Sequence, residues 1–208
     1  MARDENTKYI KLDKYKVRIT LITELLGGQP QKDVASAYLG SKFVENDGEL
    51  PEDEKETLEE VLEKGTTGFH KLDGQPILYD YQVKGFLKEA GKTFNGKLDN
   101  VKALRSKIDS YVFVEPRRIH LNIPEGYVME YLERPIRAET AKGPRVGLIR
   151  SEKLPEGTWF EIQIEVYESQ ITMDVLNDLL SYGYRKGLGQ WRNGGLGRFE
   201  FTLEKLAE

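Results

Sequence analysis

The chain has 208 residues, 38% of them apolar and 32% charged, and a formal net charge of −4. That length suits one elaborated domain or two small ones with a proper core. The absence of cysteine excludes disulfides, thiolate metal sites and a cysteine nucleophile, and no apolar run reaches the roughly 18 residues of a membrane span.

The opening residues, Met1 to Asn6, lack the apolar stretch of a signal peptide, so a cytoplasmic protein is expected. A net negative charge argues against nucleic acid, but the charge is uneven. Residues 45–63 hold ten acids and one lysine. Residues 182–199 hold four bases (Arg185, Lys186, Arg192 and Arg198) and no acid, and residues 134–150 hold five bases and one acid. Local field governs contact with a polyanion more than net charge does, although any one run also reads as a solvated face.

In chain order, residues 15–23 alternate as a strand, with Tyr15, Val17, Ile19, Leu21 and Thr23 on one face. Gly27-Gly28 and Pro30 end it. Residues 29–68 read as an acidic, partly helical insertion: Pro51 stands where a helix can begin, and Leu58, Val61 and Leu62 have helical spacing. Residues 81–94 predict a helix with Val83, Phe86, Leu87 and Ala90 on one stripe, although Gly85 and Gly91 each cost about 1 kcal/mol relative to alanine. A short helix over 99–108 follows, with Asp99 as N-cap. Residues 111–114 and 119–123 read as strands around Pro116, and residues 124–157 as a hairpin or extended-loop insertion. Residues 158–167 form a strand with Phe160, Ile162, Ile164 and Val166 facing one way and Glu161, Gln163 and Glu165 the other. A helix over 172–182 carries Val175, Leu176, Leu179 and Leu180, with Thr172 as N-cap and Asp174 at its positive start. Residues 198–203 alternate as the last strand. Insertions aside, the order is that of the split βαβ pattern. The expected class is therefore α+β, a ferredoxin-like or RRM-like antiparallel sheet with helices on one face, in one domain spanning 1–208.

Residues 187–197 place five glycines (Gly187, Gly189, Gly194, Gly195 and Gly197) around Trp191 and Arg192, and Arg198 follows. Glycine admits positive φ and close approach of a ligand to the main chain, and exposed N–H groups can form an anion-binding nest. Nucleotide fingerprints fail on detail. A P-loop needs Lys-Ser/Thr after its last glycine, and a dinucleotide fingerprint needs strand before and helix after. A purely structural turn stays open as an alternative.

This loop, set between a last helix and a last strand, resembles the C-terminal glycine-rich loop of the RAMP superfamily, the RRM-like CRISPR-associated proteins. Three further stretches resemble its backbone-subunit branch, whose members line crRNA in type III and related complexes. They are Leu25-Leu26-Gly27-Gly28 after the first strand, residues 73–88 leading into the first helix with Lys84-Gly85, and Leu154-Pro155-Glu156-Gly157-Thr158-Trp159-Phe160. The Pro-Gly-Ser-Ser of that branch is here Tyr79-Asp80-Tyr81-Gln82, and the chain is short, as in a divergent or solitary member. The resemblance implies a protein that holds single-stranded RNA and assembles with copies of itself or other RAMP-type subunits. It implies phosphate contacts by Lys84, Arg117, Arg118, Arg185, Lys186, Arg192 and Arg198, main-chain contact along the glycines, and stacking by Trp191.

Catalysis has thin support. His70 and His120 are candidate acid–base groups without a linking motif. Asp33 lies in the loop where type III backbone subunits carry a target-cutting aspartate. No zinc, EF-hand, nucleophile-elbow or kinase pattern occurs, so no metal or cofactor is expected. Two rival readings remain: a RAMP endoribonuclease, and a phage or mobile-element RAMP-like protein whose acidic insertion mimics nucleic acid.

Overall fold

A computed structural model describes residues 12–30, 66–140 and 143–207. Asp33 and the acidic run at 45–63 lie outside the described residues. The first described strand is β1 (Asp13–Leu21), followed by the short β2 (Leu25–Leu26) and β3 (Gln29–Pro30). Then come β4 (Thr66–Gly68), β5 (His70–Leu72), β6 (Gln75–Tyr79), helix α1 (Asp80–Thr93) and helix α2 (Leu104–Tyr111). Strands β7 (Val112–Glu115) and β8 (Arg118–His120) precede the hairpin of β9 (Glu130–Thr140) and β10 (Gly143–Leu154). The chain closes with β11 (Trp159–Val166), α3 (Met173–Ser181), α4 (Gly183–Lys186), a 3-10 turn at Arg192–Gly194, and β12 (Phe199–Lys205).

The central sheet has the order β12-β1-β11-β7 with antiparallel neighbours throughout. Counting only β1, α1, β7, β11, α3 and β12, this is the ferredoxin-like and RRM-like arrangement, so the expected class holds. Strand periodicity explains why. Ile19 lies opposite Phe160 and Phe201, and Val17 opposite Ile162 and Leu203, so each apolar row lands on one face. That face joins Val83, Phe86, Leu87 and Ala90 of α1, Leu104 and Ile108 of α2, and the Val175, Leu176, Leu179 and Leu180 stripe of α3 in a single core. The α3 cap is as the sequence implies, with Thr172 Oγ1 accepting from Val175 N.

Two local expectations change. Helix α2 starts at Leu104, not 99, and Asp99 does not cap it. Asp99 and Asn100 both take positive φ in a turn, and the Leu104 N–H is met instead by Asn95 Oδ1 at 3.1 Å. The strand expected over 119–123 ends at His120, with a single bridge from Asn122 to Trp159 beyond it.

Strand β8 pairs with β6, and β6 with β5, in a separate three-stranded sheet. In a third sheet the β9–β10 hairpin leans on β4 and β2 through β10. A buried carboxylate locks this region: Glu152 on β10, 1% exposed, accepts from Phe69 N at 2.9 Å and Lys71 Nζ at 2.8 Å. Its own carbonyl accepts from Gly27 N at 3.0 Å. A buried charge is tolerable only when paired and hydrogen-bonded in this way. The arrangement fixes the Gly27-Gly28 turn and the Phe69–Lys71 segment relative to the hairpin base.

Candidate nucleic-acid interface

The glycine-rich loop is bonded to the protein along much of its length. Leu188 N donates to Gly197 O at 2.8 Å, Gly197 N to Glu24 O at 2.7 Å, and Arg198 N to Thr23 Oγ1 at 2.9 Å. Thr23 in turn donates to Gly195 O, which is why it leaves β1 rather than extending it. Two glycines show what the packing demands. A Cβ on Gly197, at φ +71, would lie 1.9 Å from Leu188 O, and one on Gly189, at φ +70, would lie 2.6 Å from Leu25 Cδ1. The loop's own closure therefore accounts for these glycines, and any case for a ligand rests on the side chains around them.

Those side chains form two groups. Arg192 pairs with Glu89 of α1 at 2.5 Å, and Lys186 reaches the same carboxylate at 3.3 Å and Asn193 at 3.4 Å. Burial alone would push the Glu89 carboxyl up, but the hydrogen bonds and charges of Arg192 and Lys186 outweigh it and hold the group below its ordinary value. In the second group, Arg134 at the hairpin base lies 4.7 Å above the Trp191 ring and donates to Gln190 Oε1 at 3.2 Å. Trp191 remains 45% exposed. Arg198 packs its guanidinium against Gly195, and its Nε has no hydrogen-bond partner among the described residues.

Beside the loop lies a cleft of about 420 Å³. Its walls are the Gly27-Gly28 turn, Phe69 and His70, the outer face of α1, and residues 188–190 with Arg192. Stretches far apart in sequence thus meet at one place. His70 Nε2 lies 3.1 Å from the Tyr81 hydroxyl and meets Tyr79 edge-on at 4.7 Å, while Tyr79 and Tyr81 stack at 5.5 Å.

The remaining sequence candidates scatter. Lys84 turns away from the cleft, donating to the Asp109 carbonyl and lying 4.9 Å over Phe113. Arg117 lies near Tyr79 at 5.9 Å, and Arg118 is exposed on β8 opposite Tyr79. Arg185 is exposed over Tyr184. His70 and His120 share one row of the three-stranded sheet with Ile77 between them, about 9.5 Å apart at Cα. Of these two histidines, only His70 lines the cleft. Among the described residues no three His, Cys, Asp or Glu side chains cluster as a metal site.

The open face of the central sheet is different in character. RRM domains stack bases on aromatics of their central strands. Here those strands present Lys14 paired with Glu165 and Lys16 with Glu161, each at 3.0 Å, and Arg18 covers Trp159 at 3.7 Å. Among the described residues the centre of that face therefore carries paired charges and a covered tryptophan.

No protein-family model matches the chain, and no curated protein sequence does. Among solved structures it is similar to a chain of the Type III-B Cmr-beta bound to cognate target RNA, with a TM-score of 0.56 and 14% identity. The alignment covers 95% of this chain and 61% of that one, so this chain spans less than two thirds of its neighbour's length. The likeness shows that the two chains share a fold. A chain of a Type IV-B CRISPR Complex aligns at a TM-score of 0.49 and 13% identity, over 94% of this chain and 92% of that one. No helix among the described residues is long and apolar enough to cross a membrane.

Proposed function

We propose that this chain is an RNA-binding RAMP-type protein, a backbone-like subunit that holds crRNA within a CRISPR effector ribonucleoprotein. The observation that carries this reading is the convergence on one cleft of Arg192 and Gln190 from the glycine-rich loop, His70, Tyr81, and the open Gly85 face of α1. The fold likeness to a chain of an RNA-bound Cmr-beta structure supports it. Single-stranded RNA lies along the cleft, with Arg192, Lys186 and Arg198 toward phosphates and Trp191 at the rim. Copies of itself or other RAMP-type subunits complete the particle. Fluorescence anisotropy of a labelled single-stranded RNA over a salt series tests the reading. Affinity should fall linearly in logarithm with logarithm of salt, as counterions are released, and no binding at low salt overturns it.

A second reading, endoribonuclease, draws on the contact between His70 and Tyr81 at the cleft wall. Metal-independent RNA cleavage needs a general base and a general acid, and imidazole and phenol are side-chain types that serve in those roles. Incubation of labelled RNA with excess EDTA separates the two. Cleavage lost in His70→Ala supports the enzyme, and intact RNA supports binding alone.

A further inference from the structure

Helix α1 contains two glycines, and only one is explained by packing. At Gly91 a Cβ would lie 2.5 Å from Ile108 Cδ1, so the glycine lets α2 approach. At Gly85 a Cβ meets nothing within 4 Å and would project into open space. Glycine is the poorest helix former after proline, so an unforced glycine in a helix interior calls for another cause. Gly85 lines the cleft, between Tyr81 one turn before it and Glu89 one turn after it. The helix backbone is bare at the middle of this stripe, where a flat ligand can lie directly on it.

The two ends of the stripe suit two parts of one ligand. Tyr81 is 53% exposed, yet its ring is held by Tyr79 on stacking and by His70 at the hydroxyl. A restrained exposed aromatic loses little freedom when a base stacks on it. At the other end Arg192 and Lys186 converge on one carboxylate, Glu89. Two cations meeting one anion make a ready site for a phosphate, which carries more acceptor oxygens and more charge than a carboxylate. Tyr81 and Glu89 are separated by about 12 Å along the helix axis.

Building on the RNA-binding reading, we propose that the cleft is a pocket for a single unstacked nucleotide of the bound strand. The base lies against Tyr81 over Gly85, and a flanking phosphate replaces Glu89 on Arg192 and Lys186. In the free protein Glu89 holds the place of that phosphate and keeps both cations aligned. Base–aromatic stacking is tolerant of sequence, so the pocket accepts any base that the strand presents.

The test uses the full chain and a fluorescein-labelled single-stranded oligouridylate. Gly85→Ala adds a methyl where nothing opposes it, so the melting temperature rises, while filling the cradle weakens RNA binding by about tenfold, the scale of one lost stacked base. Gly85→Leu should weaken it further. Glu89→Gln removes the competing charge and tightens binding several-fold at low salt. If the parent binds RNA and Gly85→Ala is more stable yet binds equally well, the nucleotide pocket is wrong and the RNA-binding reading stands. Weaker binding by a folded Glu89→Gln overturns the exchange of carboxylate for phosphate. A parent that binds no RNA removes both readings together. Should Gly85→Leu fail to fold, Gly85→Ala decides alone.

Discussion

Arg134 lies over the indole of Trp191 at 4.7 Å, joining the base of the β9–β10 hairpin to the glycine-rich loop. The aromatic that the sequence offers as a base-stacking group is therefore already in contact with a cation, and RNA that stacks on it has to share or displace Arg134. Trp191→Ala should weaken RNA binding by about 1–3 kcal/mol if one base stacks there, with the salt slope unchanged. Arg192→Ala should instead weaken binding to all sequences alike and shallow the slope by about one unit. Filter binding over a salt series distinguishes the two signatures. If both variants bind like the parent, the loop is structural.

Phe160 is fully buried on β11 opposite Ile19. Removing most of its side chain leaves a cavity in the core, and Phe160→Ala should cost about 3–5 kcal/mol. Urea melts measure this directly. A loss under about 1 kcal/mol would mean that the site collapses freely, against the close packing of a sheet core.

The apolar face of this sheet was legible because period 2 at 160–166 and the helical stripe at 175–180 report burial directly. Interactions that depend on distant partners were not. Glu89 and Arg192 are 103 residues apart, and nothing local to Glu89 marks it as an ion-pair partner. Glu152 falls in the 124–157 stretch that reads as a hairpin or extended loop, and nothing local marks it as the buried residue that ties β10 to the Phe69–Lys71 segment and to Gly27. The resemblance implies a phosphate contact for Lys84, beside Gly85. On a helix, however, adjacent residues diverge by about 100°, so the glycine faces the cleft while the lysine reaches Asp109. Asp99 had the chemistry of a cap, but a turn at positive φ leaves the task to Asn95.

Glu152 should be more sensitive to removal than to neutralisation. Glu152→Ala strands the Phe69 N–H in the interior and should cost about 1–3 kcal/mol for that donor alone. Glu152→Gln keeps an acceptor for Phe69 and loses only the charge shared with Lys71, whose side chain is 40% exposed and can turn to water. Chemical denaturation of the two variants should rank Ala below Gln below parent. Equal losses would show that the ion pair, not the buried hydrogen bond, carries the anchor.

Glu89 gives a pH dependence with a definite sign. Its folded-state carboxyl is held below the ordinary value because Arg192 and Lys186 favour the ionised form more than burial disfavours it. A carboxyl depressed on folding contributes stability above its unfolded pKa, and loses that contribution as pH falls through the lower, folded pKa. The tie between α1 and the loop is therefore intact at neutral pH and is released only in the acid range, below where a free glutamate titrates. Because the pair is partly exposed, solvent and salt screen it, and the effect on global stability is small. Carbon-detected NMR of the Glu89 carboxyl should place its midpoint below that of glutamate in a short peptide, and added salt should move it back toward that value. Lys186→Ala should move it part of the way, and Arg192→Ala further, since Arg192 makes the shorter contact. A midpoint at or above the peptide value would mean that burial dominates and that the two cations do not converge on Glu89 in solution.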